Sequence, residues 1–109
     1  MFKGCKLLSD LRPLENWNVS NGKNFSEMFF RCKLTNLNGL EKWNISKGIN
    51  FSYMFFECNL LADINALKNW NISKEQYFEG IFYSCFSLKD KTILRNWNVP
   101  KDILFDVYI

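Results

Sequence analysis

The sequence predicts an α/β repeat fold: a leucine-rich-repeat-like solenoid of four coils with a short parallel β-sheet and short helices. Landmark residues recur every 26 or 27 positions, and each unit combines a helix-like apolar spacing with a short extended segment. Units of that length fall within the roughly 20–29 residues of leucine-rich repeats. We therefore divide the single domain of 109 residues into repeats 1–27, 28–53, 54–80 and 81–109.

Four columns of identical residues define the repeat. A cysteine, a tryptophan, the asparagine that follows it and a closing phenylalanine recur in register. The columns are Cys5, Cys32, Cys58 and Cys85; Trp17, Trp43, Trp70 and Trp97; Asn18, Asn44, Asn71 and Asn98; and Phe25, Phe51, Phe78 and Phe105. Because four columns agree across the chain, chance does not explain them, and the pattern is typical of a repeat architecture.

A short helix is predicted after each closing phenylalanine. Phe51, Met54, Phe55 and Cys58 lie at positions i, i+3, i+4 and i+7, which form one face of a helix. The neighbouring repeats keep this spacing. Asn50 lies just ahead, where a polar side chain can cap the first free amides. The cysteine is then expected on the buried face of each helix.

An extended segment is predicted between the cysteine and the tryptophan, within about residues 34–46 of the second repeat. Trp43 and Ile45 alternate as strand residues do. Stacked coils would pair such strands about 4.8 Å apart as a parallel sheet. Residues that vary between repeats are expected to decorate the exposed face of this sheet. They are Ser9, Asp10, Arg12, Thr35, Asn36, Asn38, Asp63, Asn65, Lys89, Asp90 and Lys91.

The pattern MFxxCxxLxxLxxLxxWNVSxGxxFSx resembles the BspA-like leucine-rich-repeat surface proteins. The matching residues are Met28, Phe29, Cys32, Leu37, Leu40, Trp43, Asn44, Ser46, Phe51 and their counterparts. The resemblance covers essentially the whole chain. It implies a solenoid with a parallel sheet, a location at the cell surface or outside the cell, and roles in adhesion, binding and surface display. It does not imply an enzyme.

The cysteine column has a metal-site, a disulfide and a structural interpretation. A zinc site needs convergent ligands, typically in short paired spacings, whereas these cysteines are at least 26 residues apart. Disulfides between adjacent coils are allowed by distance. Their place on the apolar face favours buried, reduced thiols instead. We therefore expect no metal and no cofactor.

The tryptophan and asparagine columns are also interpreted as structural. Exposed tryptophans could bind sugars or stack on bases, but alternation with apolar residues favours burial of all four. The asparagines are expected to bond the backbone of neighbouring coils, with exposed ligand contacts as the alternative. Glycosylation sequons occur at Asn18, Asn24, Asn44, Asn50 and Asn71. Glycans on coils about 5 Å apart would clash, so the sequons are interpreted as by-products of the repeat.

Composition favours a non-enzymatic binding or assembly protein. The net charge of +3 is too weak to predict a nucleic-acid partner. The chain has no histidine, the commonest general base, and its five glycines are scattered singly rather than forming a phosphate loop. No apolar run approaches the roughly 18 residues of a membrane span, and the start lacks the pattern of a secretory signal.

End-to-end association is predicted from the phase of the repeat. Met1 and Phe2 occupy the positions of Met28 and Phe29, and the chain ends on the same two positions. The expected head-to-tail contact joins Met1, Phe2, Val107, Tyr108 and Ile109. Such contacts give open filaments unless a ring closes. The partner is thus another copy or another protein. The alternative is a monomeric glycan- or protein-binding module excerpted from a longer surface protein.

Overall fold

Regular secondary structure is limited to three short 3₁₀ helices in the computed structural model, which describes residues 8–72 and 76–97. They span Arg12–Leu14, Asn65–Leu67 and Thr92–Asn96. Pro13 lies within the first, where its fixed φ and missing N–H are tolerated. The predicted α/β leucine-rich-repeat-like solenoid of four coils is therefore wrong: the described residues contain neither its parallel sheet nor its helices.

The segments predicted as helices are chains of tight turns, which we call turn ribbons: residues 25–32, 51–58 and 78–85. In the second ribbon, Met54 donates its N–H to the Phe51 carbonyl and Phe56 donates to that of Tyr53. Tyr53 has a φ of 58° and Glu57 a φ of 54°. The other ribbons carry left-handed residues at the matching positions, Glu27, Arg31, Gly80 and Ser84. Such a residue at every fourth position prevents continuation of a right-handed α-helix.

The N–H groups between these turns donate to the next repeat. Phe51 donates to the Tyr77 carbonyl at 2.8 Å, and Phe55 donates to that of Ile81 at 2.9 Å. The first ribbon bonds to the second in the same way, through Phe25, Glu27, Phe29 and Arg31. All these bonds run in one direction. The first and second ribbons donate N–H groups to carbonyl groups of the repeat that follows.

The predicted parallel sheet reduces to isolated bridges. Three parallel bridges join Asn24 to Asn50, Asn50 to Tyr77, and Asn36 to Asp63. The pairing does not extend, because the chain turns immediately after the bridge. Asn50 Oδ1 accepts the N–H of Ser52 at 2.9 Å, and Asp63 Oδ1 accepts that of Asn65 at the same distance. These Asx turns redirect the backbone within two residues.

The core lies beneath the turn ribbons, and burial of the predicted apolar set is confirmed. Phe51, Met54, Phe55 and Cys58 are all 0% exposed. The buried phenylalanine rings of successive repeats form two columns, which we call the inner aromatic stacks. Phe25, Phe51 and Phe78 have centroids 5.1 and 5.2 Å apart, and Phe29, Phe55 and Phe82 have centroids 5.7 and 5.8 Å apart. Stacked rings in register therefore join one repeat to the next.

Candidate functional site

The cysteine column lies in the core and links successive repeats. Cys32, Cys58 and Cys85 are buried and free. Cys58 Sγ donates to the Phe29 carbonyl at 3.1 Å, and Cys85 Sγ donates to the Phe55 carbonyl at the same distance. Burial raises the pKa of Cys85 to about 12 and also raises that of Cys58. These thiols are thus poor nucleophiles.

No group of three or more potential metal ligands converges within residues 8–72 and 76–97. The residues of that search were histidine, cysteine, aspartate and glutamate. The remaining member of the cysteine column, Cys5, lies outside the described residues. Since a row of cysteines cannot surround an ion, the described part of the column has the geometry of a packing element.

Three of the four tryptophans are buried. Trp43, Trp70 and Trp97 are 4%, 6% and 3% exposed. Trp43 Nε1 donates to the Leu14 carbonyl at 3.0 Å, and Trp70 Nε1 donates to that of Leu40 at 2.9 Å. The expectation of burial is wrong at Trp17, which is 43% exposed. A continuous row of exposed indole faces, as a sugar or base platform requires, is therefore not formed by the described tryptophans.

The asparagine column acts within its own repeat. Asn18 Oδ1 accepts hydrogen bonds from the N–H and Oγ–H of Ser20, and Asn44 Oδ1 accepts the same pair from Ser46. The expected bonds to the backbone of neighbouring repeats are therefore wrong at these two positions. Asn71 is exposed, and Asn98 lies outside the described residues. The Asn-x-Ser spacing that reads as a sequon is here the spacing of an Asx turn.

A second column of turn-forming residues was missed by the sequence reasoning. Asp10, Asn36, Asp63 and Asp90 each accept the backbone N–H of the residue two positions later. Hydrogen bonds from Arg12 lower the pKa of Asp10 to about 2. The column is visible in the sequence as an acid or amide at equivalent positions. Their predicted place on an exposed sheet face is wrong, because these side chains form turns.

The exposed side of the turn ribbons carries a third aromatic column, which we call the outer aromatic row: Phe30, Phe56 and Tyr83. Their centroids are 4.9 and 5.1 Å apart, and the rings are within 8° of parallel. Each side chain is half-buried. Both faces of the Phe56 ring are covered by its neighbours, so the row presents ring edges to solvent. Ring edges carry partial positive charge, whereas sugars and bases stack on faces.

Charged and aromatic side chains flank the outer aromatic row. Arg31 Nε donates to Glu57 Oε1 of the adjacent repeat at 2.5 Å. The Arg31 guanidinium also lies 5.1 Å from the centre of the Phe30 ring. On the other side, the Tyr53 ring packs edge-on against Phe56, with centroids 5.7 Å apart. A Cβ at Gly80 would lie 2.4 Å from the Tyr53 ring, so only glycine leaves room for it.

Large apolar side chains are exposed just after the second and third ribbons, in a region we call the apolar corner: Leu60 and Phe86. The two segments are joined by a hydrogen bond from Ser87 Oγ to the Asn59 carbonyl. Leu60 is 51% exposed and Phe86 is 79% exposed. A cavity of about 330 Å³ opens beside Leu60 and is also lined by Arg31, Lys33 and Glu57. Exposed apolar side chains bordered by charged groups are typical of protein-interaction surfaces.

A separate pocket opens at the first repeat, and we call it the end pocket. Its volume is about 360 Å³, and its walls include Trp17, Val19, Gly22, Asn24, Phe25 and Ser26. The residues predicted to join copies end to end, Met1, Phe2, Val107, Tyr108 and Ile109, all lie outside the described residues.

Comparison with known proteins places the chain in a family of undetermined function. The family described as "Mycoplasma protein of unknown function, DUF285" matches residues 1–106. The chain belongs to this family. Neither a curated protein nor a solved structure matches it. None of the helices within the described residues is long and apolar enough to cross a membrane.

Proposed function

We propose that this family member is a non-enzymatic binding protein that presents the outer aromatic row and the apolar corner to a protein partner in adhesion at a cell surface. The observation that carries the proposal is the 79% exposure of Phe86, together with the 51% exposure of Leu60. A buried phenylalanine contributes about 1.5–3 kcal/mol relative to an exposed one. Covering this corner with a partner would recover part of that free energy.

The chemistry of the outer aromatic row favours a protein over a glycan or a nucleic acid. The central ring, Phe56, is stacked on both faces by Phe30 and Tyr83, so neither of its faces is open to a sugar or a base. Aromatic residues and arginine are enriched at protein interfaces, and Arg31 lies directly beside Phe30. The absence of histidine from the whole sequence also supports a role without acid–base catalysis.

The resemblance to BspA-like surface proteins supports adhesion as the context of this binding. That resemblance is carried by the repeat pattern, including Met28, Phe29 and Cys32. In the structure these residues are core positions. They pack beneath the ribbons that carry the exposed aromatic row.

The test is binding of the fluorescently labelled chain to cultured epithelial cells. The double variant Leu60→Ser, Phe86→Ser is compared with Ile49→Ser, Tyr77→Ser, whose side chains are 46% and 60% exposed but precede the ribbons in their repeats. We expect saturable binding that the first variant weakens about tenfold, while the second leaves it unchanged. Treating the cells with trypsin should abolish binding, and treating them with glycosidases should not.

Three results would contradict this proposal. Equal binding by both double variants would show that the apolar corner is not the contact. Binding that survives trypsin but is lost after glycosidase treatment would identify a glycan. Binding that never saturates would indicate adsorption rather than recognition.

A further inference from the structure

The cavity beside Leu60 lies between the second and third repeats, and both of its walls belong to described residues. Six residues line it: Arg31, Cys32, Lys33, Glu57, Asn59 and Leu60. Its volume of about 330 Å³ is near the lower end of the range for ligand pockets, which is about 300–1,000 Å³. A space of this size suits individual side chains of a partner.

The charged groups at this cavity leave an excess of positive charge. Arg31 is paired with Glu57, whereas the exposed Lys33 forms no ion pair within the described residues. Lys89, which lies three positions after Phe86, is also exposed and makes no ion pair with the described part of the chain. An anionic group that entered the cavity would therefore meet a favourable electrostatic field.

Arg31 retains hydrogen-bond donors for a second acceptor. Its Nε–H is donated to Glu57 Oε1, and its position is further fixed by the contact of the guanidinium with the Phe30 ring. A guanidinium also carries N–H donors on both Nη atoms, and the Arg31 side chain is 50% exposed. These donors match the two oxygens of a carboxylate, which arginine binds in a bidentate manner.

The outer aromatic row favours the same sign of charge in a partner. Glu57, which lines the cavity, directly follows Phe56 of that row. Both faces of the Phe56 ring are covered by its neighbours, so the row presents ring edges to solvent. Because ring edges carry partial positive charge, they attract anionic groups and disfavour cationic ones.

Apolar surface adjoins the basic cavity. Leu60 lines the cavity and keeps 51% of its surface exposed. The segment that carries Phe86 is joined to that of Leu60 by the hydrogen bond from Ser87 Oγ to the Asn59 carbonyl. A ligand that fits the whole surface must therefore combine a negative charge with an apolar group.

We propose that the partner presents an acidic protein segment, whose aspartate or glutamate carboxylate enters the cavity and binds Arg31 and Lys33. A large apolar side chain of the same segment covers Leu60 and Phe86. This inference rests on the proposed function and names the chemistry of its partner. The carboxylate comes from a protein and not from the sialic acid of a glycan, because a sialylated glycan has no large apolar group to cover the apolar corner.

The test is titration of the fluorescently labelled chain with random amino-acid copolymers, followed by fluorescence anisotropy. A copolymer of glutamate and tyrosine supplies both features of the proposed segment. A copolymer of lysine and tyrosine reverses the charge, and polyglutamate lacks the ring. We expect the first to bind, polyglutamate to bind about tenfold more weakly, and the lysine copolymer not to bind. Binding of the first should weaken between about 0.05 M and about 0.5 M NaCl, because salt screens exposed charges.

Charge variants test whether this binding uses the cavity. Lys33→Glu should weaken binding of the glutamate–tyrosine copolymer by about tenfold. Lys42→Glu is the matched control, because Lys42 is exposed in the same repeat and does not line the cavity. It makes the same change in net charge and should weaken binding by about twofold or less. Circular dichroism of each variant checks its fold.

A variant of the opposite sign makes the test independent of damage to the surface. Glu57→Gln removes a negative charge from the cavity wall and keeps an oxygen that can accept the Arg31 Nε–H. It should tighten binding of the glutamate–tyrosine copolymer by about threefold. Weaker binding by this variant would contradict an anionic ligand in the cavity.

Three further results would overturn the inference. Equal losses from Lys33→Glu and Lys42→Glu would show that the copolymer responds to net charge and not to the cavity. Tighter binding of the lysine copolymer would reverse the charge assigned to the partner. Equal binding of polyglutamate and the glutamate–tyrosine copolymer would remove the requirement for an apolar side chain.

Binding to cultured epithelial cells separates this inference from the proposed function on which it rests. We expect Lys33→Glu to weaken cell binding about tenfold, and sialidase treatment of the cells to have no effect. If Leu60→Ser, Phe86→Ser weakens cell binding and Lys33→Glu does not, the apolar corner remains the contact and the acidic partner is excluded. If neither variant weakens it, the proposed function is overturned as well. Loss of binding after sialidase treatment would identify a glycan as the source of the carboxylate and overturn the protein segment.

Discussion

The inner aromatic stacks and the outer aromatic row have the same spacing along the chain and opposite surroundings. Phe55 and Phe56 are adjacent residues, and each lies between two rings of the neighbouring repeats at centroid distances of 4.9–5.8 Å. Phe55 is fully buried, whereas Phe56 is half-buried. Ring stacking is thus common to both, and burial alone separates them.

Each ribbon thus contributes rings both to the core and to the surface. The inner rings exclude water and join the repeats, so they contribute to the stability of the whole chain. The outer rings are aligned by the same ribbons, but their edges remain accessible. Because neighbouring rings already hold one another in register, a partner that bound these edges, as we propose, would cost less conformational entropy.

The largest expected effect is on the inner stacks. Phe55→Ala should lower the free energy of unfolding by about 3–5 kcal/mol, because it leaves a cavity between Phe29 and Phe82. Phe56→Ala should cost only about 1–2 kcal/mol, since water can occupy the vacated space and mainly ring contacts are lost. Urea denaturation of the two variants measures this. Equal losses would mean that the two columns are equally part of the core.

A second difference concerns the ionisation of the buried Cys85 thiol, which lies in the core beneath the ribbons. Burial raises the pKa of Cys85 from 9.0 to about 12. The folded-state pKa is the higher one, so this contribution to stability is fully present below pH 9 and is lost as the pH rises from 9 towards 12. We expect a loss on the order of a few kcal/mol across that window. The wild type should therefore lose more stability than Cys85→Ala between pH 8 and pH 11. If the stabilities of the wild type and of Cys85→Ala changed equally with pH, the thiol would ionise in the folded chain as readily as in the unfolded chain.

The residues with left-handed backbone allow a third test, in which the sign of the change in stability decides between a turn and a helix. Ser84 has a φ of 62°. Glycine adopts this conformation without the cost borne by other residues, so Ser84→Gly should stabilise the chain by roughly 0.5–1 kcal/mol. In a helix the same change would destabilise by a similar amount. Thermal unfolding separates the two outcomes, with Ser52→Gly, at a position without positive φ, as the control expected to destabilise.

The smallest effect is expected at the exposed turns. Hydrogen bonds from Arg12 lower the pKa of Asp10 from 3.8 to about 2. Because the folded-state pKa is depressed, the contribution is present above about pH 4 and is lost as the pH falls towards 2. The Asp10 side chain is exposed and its partner Arg12 is exposed too, so the difference between the wild type and Asp10→Asn should be small. Melting temperatures at pH 5 and pH 2.5 check this. A large difference would mean that the turn is buried.

The sequence was sufficient to predict which side chains form the core but not the path of the backbone. The spacing of Phe51, Met54, Phe55 and Cys58 predicted a common buried face, and all four share one. Tight turns that alternate with hydrogen bonds to the next repeat bury side chains at the same spacing, so the spacing alone does not identify a helix. Tyr53 and Glu57 give no warning, because left-handed backbone is ordinarily associated with glycine and asparagine. Only Gly80, which corresponds to Tyr53 one repeat later, is a residue type that indicates left-handed backbone.

The surface features were harder to predict for different physical reasons. Phe30, Phe56 and Tyr83 were visible in the sequence, but their alignment depends on the ribbon, which was predicted as a helix. The exposure of Trp17 was not predicted, because its place in the repeat is the same as that of the buried Trp43 and Trp70. Asn18 and Asn44 were expected to bridge repeats, but a serine two residues later satisfies each side-chain oxygen locally.

The most direct test is to detect the ribbon hydrogen bonds themselves. Nuclear magnetic resonance experiments that transfer magnetisation across hydrogen bonds identify the carbonyl that each amide contacts. The structure predicts a correlation between the Phe55 amide and the Ile81 carbonyl, and another between the Met54 amide and the Phe51 carbonyl. A correlation between the Phe55 amide and the Phe51 carbonyl, which is the bond of an α-helix, would contradict the turn ribbon and with it the alignment of the outer aromatic row.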